Sequence, residues 1–177
     1  MNHIDHVNLL RPAALAPGGT WADLGAGSGA FTLALRELLG PQAEIYAVDQ
    51  DAASLNELSR AFGKRFKGTA GLHVLEADFR RSLKMPPLDG VLMANSLHFH
   101  KKKAPILRQV RGLLKPGGTL LVVEYNVDRG NPWVPFPFSY ETFKDLAAEA
   151  GFDPARLLTM HPSSFLREFY SAAAKAP

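Results

Sequence analysis

The sequence predicts an α/β fold in which helices cover both faces of a mostly parallel sheet. Three observations predict it. Short apolar runs alternate with longer segments of helical periodicity, the pattern of βαβ units. The runs are nearly continuous in apolar residues, as suits strands covered on both faces. A glycine-rich turn leaves the first run and opens the first long helical segment. The chain has 177 residues, 46% hydrophobic and 21% charged, with no Cys. That length is most simply one domain with a core of its own. The absence of Cys excludes disulfides, thiolate metal sites and a Cys nucleophile. The apolar fraction excludes disorder. No apolar run approaches the ~20 residues of a membrane span. Met1 to Pro12 is polar and His-rich, without the apolar core of a signal peptide. A cytoplasmic location is expected.

Each element follows in order. Thr20–Leu24 is a short strand after the turn-like Pro17-Gly18-Gly19. Phe31–Leu39 sets Phe31, Leu35, Leu38 and Leu39 on one helical stripe, and Gly40-Pro41 stops it. Glu44–Val48 is a strand ending at Asp49. Ala52–Phe62 is a helix with Leu55, Leu58 and Phe62 on its inner face. Leu72–Ala77 is a strand stopping at Asp78, and Leu88–Ala94 is another. Ala104–Leu114 is an amphipathic helix halted by Lys115-Pro116-Gly117-Gly118, and Thr119–Tyr125 is the most apolar strand. Ser139 caps a helix through Ala150, ended by Gly151. Arg156–Met160 and Phe165–Ala173 form a closing hairpin. No helix separates these last two strands, so one of them runs antiparallel.

The segment from Trp21 to Phe31 reads WADLGAGSGAF. Its glycines permit a tight turn and a close ligand approach, and the helix it opens offers unpaired N–H groups. Asp49, ending the next strand, can accept hydrogen bonds from both hydroxyls of a ribose. Gly25, Gly27 and Ala30 also satisfy the relaxed dinucleotide fingerprint, so the loop alone does not choose a cofactor. Three features choose. Asp23 ends the first strand, where a carboxylate meets a cation and repels a pyrophosphate. Gly29 occupies a variable position of the dinucleotide pattern. Asp78 ends the third strand, where it can accept from an adenine amino group with Phe79 beside the ring.

With these residues the chain resembles the class I S-adenosylmethionine-dependent methyltransferases of the small-molecule type. Asp23-Leu24-Gly25-Ala26-Gly27-Ser28-Gly29 resembles the first motif of that family, Asp49 its ribose acid and Asp78-Phe79 its adenine-side motif. Asp89 to His98 is similar to its fourth-strand motif, and Leu113 to Gly118 to the turn before its fifth strand. The resemblance implies a Rossmann-like seven-stranded sheet, order 3-2-1-4-5-7-6, with strand seven antiparallel. It implies S-adenosylmethionine as cofactor, held by Asp23, Gly25, Ala26, Gly27, Gly29, Asp49, Gln50, Asp78, Phe79, Asn95 and Ser96. Residues 1–19 then form an N-terminal helical or capping segment, 20–126 the cofactor-binding core, and 127–177 the acceptor-side loop, helix and hairpin.

A sulfonium is already a good leaving group, so the protein mainly aligns an acceptor and excludes water. A base is needed only where the acceptor holds a proton too tightly. Asn95-Ser96-Leu97-His98 follows the fourth strand and departs from the Asn/Asp-Pro-Pro-aromatic pattern of amino-directed DNA and protein-glutamine methyltransferases. His98 is the candidate base, an imidazole that titrates near neutral pH; the competing reading is a loop histidine packed at the cofactor edge. Glu124 and Tyr125 end the fifth strand at the same rim and either orient an acceptor or make structural hydrogen bonds. His98 and His100 have a metal-like offset without an evident third ligand, so no metal is expected. His3 and His6 read as surface residues. The proline-stiffened segment Gly130–Phe138 carries Trp133, Phe136 and Phe138 and reads as an acceptor-pocket wall or as a strap over the sheet edge.

The net charge of +3 conceals a basic middle: from Arg60 to Lys115 there are 13 Lys+Arg against 3 acids. This favours a second reading, methylation of RNA or protein. Right-handed crossovers place these residues on two faces of the sheet, which favours a small-molecule acceptor instead. A nicotinamide-dependent oxidoreductase and a non-catalytic cofactor-binding protein are lesser alternatives. Monomer and homodimer are both open.

Overall fold

A computed structural model describes all residues, Met1–Pro177. Seven strands form one sheet: β1 (Thr20–Leu24), β2 (Glu44–Asp49), β3 (Leu72–Glu76), β4 (Leu88–Ala94), β5 (Leu114–Tyr125), β6 (Arg156–Pro162) and β7 (Glu168–Lys175). Their order is β3-β2-β1-β4-β5-β7-β6. β7 runs antiparallel to both β5 and β6, and every other pair is parallel. The helices are α1 (His3–Leu10), α2 (Ala30–Leu39), α3 (Ala52–Phe66), α4 (Ala104–Leu113) and α5 (Tyr140–Glu149). None is long and apolar enough to cross a membrane.

Alternation along the strands builds two cores. Trp21, Ile45, Leu92, Leu121 and Val123 point to the face covered by α1 and α2. On the same face α3 seats Leu55, Leu58 and Phe62 over Ala47. Ala22, Leu24, Val91, Met93, Leu120 and Val122 point to the other face, under Ile106, Leu107 and Val110 of α4 and Phe143 and Ala147 of α5. The sheet is thus wound on both faces, as the near-continuous apolar runs require. The basic middle divides accordingly. Arg60, Lys64 and Arg65 ride on α3, while Arg108 and Arg111 ride on α4 across the sheet.

The elements depart from the sequence expectation at four places. α3 continues past Phe62 to Phe66, because the two rings meet at 4.8 Å and Arg36 stacks on both. β5 begins at Leu114 rather than Thr119. Leu114 pairs with Leu88 and Gly117 N–H donates to Ala176 O, so Lys115–Gly118 is an irregularity within the strand and not a stop before it. The hairpin strands run Arg156–Pro162 and Glu168–Lys175, leaving residues 163–167 as the turn. His6 is half-buried against Phe31, ring centroids 4.7 Å apart, and not a surface residue.

The middle of the sheet is closely packed at Gly90, where a Cβ would collide with the indole of Trp21. Trp21 is itself 4% exposed and cannot swing out. Gly90→Ala is therefore expected to cost about 1–3 kcal/mol of overpacking. Denaturant unfolding checks this; an unchanged midpoint would show that the indole yields freely.

Candidate active site

The carboxyl ends of β1, β2, β4 and β5 meet along one rim, at the point where the strand order reverses. β1 delivers Asp23, 1% exposed, with Thr32 Oγ1 donating to its Oδ2 at 2.6 Å. Burial raises the Asp23 carboxyl to about 7. The Thr32 hydrogen bond opposes that rise and the nearby Asp49 adds to it. The chain then turns through three left-handed glycines, Gly25, Gly27 and Gly29. Gly25 and Ala26 donate their N–H groups to Val48 O, which fixes the loop against β2.

The three glycines have different reasons. A Cβ at Gly25 would strike the Ser96 side chain, and one at Gly29 would strike Leu58 of α3. Only at Gly27 is the surrounding space open. The resemblance places all three beside a ligand; a side chain at Gly25 or Gly29 would in addition collide with the packing around the loop, while Gly27 is open.

Asp49 caps the same loop. Its Oδ2 accepts from Gly27 N–H at 2.8 Å and its Oδ1 from Asp51 N–H at 3.0 Å. Gln50 is exposed and lines a cleft of about 520 Å³ with Ala77, Asp78 and Arg80. The guanidinium of Arg80 grips Asp78 through both oxygens, at 2.7–3.0 Å, and holds its carboxyl down at about 2. An adenine amino group meeting Asp78 would share these oxygens with Arg80. Phe79 is buried, edge-on to His100 at 5.2 Å.

At the end of β4, Asn95 takes a left-handed backbone. Its Oδ1 and the Ser96 Oγ are buried without partners. Buried polar atoms are nearly always paired, so these two orphans, the Ser96 side chain lying beside Gly25, are atoms a polar ligand would satisfy. His98 follows, 3% exposed. Its Nδ1 lies 2.7 Å from Glu124 Oε2, while Glu124 Oε1 accepts from the N–H groups of Leu97 and His98. Nε2 makes no hydrogen bond within the chain. Glu124 is fully buried. Tyr125, beside them at 6.2 Å from the His98 ring, keeps its phenol protonated, because burial and then Glu124 raise it.

The segment Gly130–Phe138 turns Val134 and Phe138 inward and leaves Trp133 71% exposed and Phe136 40% exposed. Phe136 N–H donates to His98 O, so the segment straps down the loop that carries His98. Three features of the site were not foreseen from the sequence: Thr32 on Asp23, His6 against Phe31, and the β6–β7 hairpin, whose His161 on β6 and Phe165 in the turn share a cleft with Asn95 and Tyr125. The spacing of Thr32 one turn into α2 was a usable signal; contacts of α1 and of the hairpin turn with the rim carry no local signature.

The profile of the methyltransferase domain family matches residues 22–120. The chain belongs to this family. It is 31% identical over 127 residues to the carboxy-S-adenosyl-L-methionine synthase of Pseudomonas putida, covering 68% of this chain and 51% of that one. It is 33% identical over 113 residues to the acetylserotonin O-methyltransferase of Mus musculus, covering 62% and 29%. The chain thus spans about half, or less, of these relatives' length. The magnesium protoporphyrin IX methyltransferase of Synechocystis, solved with bound SAM, shares the fold with a TM-score of 0.76 at 15% identity, covering 99% of this chain and 78% of that one.

S-adenosylmethionine is the cofactor of the family, and the residues present fit it. The open side of Gly27 admits a ligand, Asp23 can ionise beside an ammonium, and the orphaned Asn95 Oδ1 can accept a hydrogen bond. A cation near Asp23 favours its ionised form. Binding S-adenosylhomocysteine, which keeps the amino group, is therefore expected to release protons at pH 6.5, where Asp23 is still largely protonated. The release should vanish by pH 9 and in Asp23→Asn. Calorimetry in buffers of different ionisation enthalpy measures it; equal proton release by Asp23→Asn would assign the proton elsewhere. The same raised value works against the fold as pH rises. Between about pH 4 and 7 the folded chain keeps a proton that the unfolded chain loses, so this group's contribution to stability falls across that window. Asp23→Asn should flatten that part of the stability–pH curve.

Proposed function

We propose that the protein transfers a methyl group from S-adenosylmethionine to a small molecule bearing a protic acceptor group, with His98 as general base and Glu124 as the residue that orients it. The single observation supporting this is the buried His98–Glu124 pair at 2.7 Å with Nε2 left unengaged. A carboxylate that accepts Nδ1–H holds the imidazole in the tautomer whose Nε2 lone pair faces outward. When bound, S-adenosylmethionine supplies a methyl on a sulfonium, which departs as a neutral thioether. His98 Nε2 takes the acceptor's proton as the new bond to the methyl forms. The imidazolium that results is stabilised by Glu124 beneath it. Tyr125 lies at the same rim as a hydrogen-bond donor. Gly130–Phe138 closes over the His98 loop and helps to exclude water.

A small acceptor is supported by the division of the basic residues between the two faces and by the pairing of several of them. Arg65 is bound to Glu37, Arg80 to Asp78, Arg108 to Glu149 and Lys115 to Asp89. Paired charges on opposite faces make a poor track for a nucleic acid backbone. Acetylserotonin, named for the mouse relative, is likewise a small molecule.

Removing a general base costs roughly 10²–10⁴ in rate. His98→Ala is therefore expected to lower kcat by about that factor, to remove the acidic limb of the pH–rate profile and to leave S-adenosylhomocysteine affinity unchanged. Glu124→Gln sets an amide donor against Nδ1–H and should lower kcat more than it raises KM. Steady-state kinetics across pH checks both. A His98→Ala variant with the parent's profile would leave alignment and desolvation as the whole mechanism.

A further inference from the structure

Between the rim and the β6–β7 turn lies a cleft of about 450 Å³. Asn95 and Tyr125 form its inner end, Phe169 its floor, and His161, Ser163 and Phe165 its outer wall. Resting on the methyl-transfer reading, we infer that this cleft is the acceptor site and that it takes an aromatic molecule carrying hydroxyl groups.

Three observations support the aromatic body. Tyr125 lies at 4.2 Å and 31° to Phe169, and at 6.0 Å and 61° to Phe165. Trp133 extends the row, edge-on to Phe165 at 6.2 Å. Phe165 is 49% exposed and Trp133 71% exposed, so ring surface on this row remains for a ligand to cover. Rings prefer edge and offset contacts with other rings, so a row of this kind selects a planar π-system over an aliphatic chain of equal bulk. The volume lies within the range of clefts that bind small molecules.

The polar groups set the rest of the ligand's chemistry. The Tyr125 hydroxyl, at the rim end of the cleft, can hydrogen-bond a hydroxyl of the ligand. His161 and Ser163 add hydrogen-bonding groups at the other end. Met1 and Asp5 close the α1 side of the same cleft, and the Asp5 carboxylate accepts from Asn2 N–H at 2.7 Å. His98 sits 6.2 Å from the Tyr125 ring, ring centre to ring centre, and only three residues beyond Asn95. The inference also gives the exposed turn at 163–167 a role that sheet closure alone does not require.

The test uses 2,3-dihydroxynaphthalene, a fluorescent aromatic diol, titrated into the full chain saturated with S-adenosylhomocysteine. Competition with cis-1,2-cyclohexanediol, which has the same vicinal hydroxyls and no ring face, runs beside it. Saturable binding is expected, with no displacement by the saturated diol. Phe165→Leu keeps apolar bulk and loses the ring; it should weaken binding about two- to tenfold, the size of one aromatic pair, with S-adenosylhomocysteine affinity unchanged. Phe165 lies on an exposed turn, so this variant keeps the fold. Absence of saturable binding, equal competition by the cyclohexanediol, or unchanged affinity in Phe165→Leu would overturn the aromatic assignment. Failure of the parent chain to bind S-adenosylhomocysteine would instead overturn the cofactor reading beneath it.

Discussion

The site depends on one buried carboxylate. Glu124 ends the most apolar strand of the sheet with no exposure, where an ion costs several kcal/mol unless its oxygens are satisfied. They are satisfied by three N–H groups of one loop: Leu97 and His98 of the backbone, and the His98 ring. The arrangement works in both directions. The carboxylate is tolerated because the loop after β4 closes on it, and the loop has a single conformation because the carboxylate needs those donors. Phe136 N–H then fastens to His98 O, and Lys103 is buried on the same loop, its Nζ on His100 O and 4.9 Å above the Phe138 ring. Burial lowers the Lys103 ammonium while the charge of Glu124 supports it.

Asp23 shows the opposite solution at the neighbouring strand end. It is equally buried but accepts one side-chain hydrogen bond, from Thr32, and faces a second carboxylate in Asp49. Two acids on one rim thus have different hydrogen-bond surroundings. Glu124 is held by fixed donors, whereas Asp23 retains a proton close to neutrality and lacks a cation. Divergent carboxyl environments of this kind commonly divide roles within a site. Here the one that wants a cation stands beside the glycine loop, and the one already satisfied stands beneath the imidazole.

Much of the fold was legible because it is written in local periodicity. Strand β4 was bounded correctly from its apolar run, and the cap of α5 was visible in Ser139. The strand order followed from the motif resemblance and not from spacing. What escaped depends on contacts distant in sequence. The extension of α3 to Phe66 needs Arg36 of another helix. Lys115–Gly118 looks like a stop until Ala176, far along the chain, is seen to receive the Gly117 N–H. The proline-rich strap alternates aromatic residues, and only tertiary packing decides that Val134 and Phe138 turn in while Trp133 and Phe136 turn out. The same holds for Gly29, whose glycine is demanded by Leu58 on α3.

The boundary of the family match explains why the cofactor half of the site is easier to assign than the acceptor half. The match ends at residue 120, within β5 and before Glu124. Everything up to that point builds the glycine loop, Asp49, the Asp78–Phe79 turn and the Asn95–His98 loop. Everything that completes the acceptor side lies beyond it: Glu124, Tyr125, the strap and the β6–β7 turn. The two halves obey different constraints. The first presents backbone geometry and a few acids to one fixed ligand, so its pattern repeats among relatives whose names describe different chemistry, a carboxylated-cofactor synthase and an O-methyltransferase. The second half carries its exposed side chains on a turn and a strap, which can change without disturbing the sheet. Identity over the first half therefore carries the cofactor and not the acceptor. What lies beyond residue 120 is therefore read from its own geometry: the row of Trp133, Phe165, Tyr125 and Phe169 beside the buried His98–Glu124 pair.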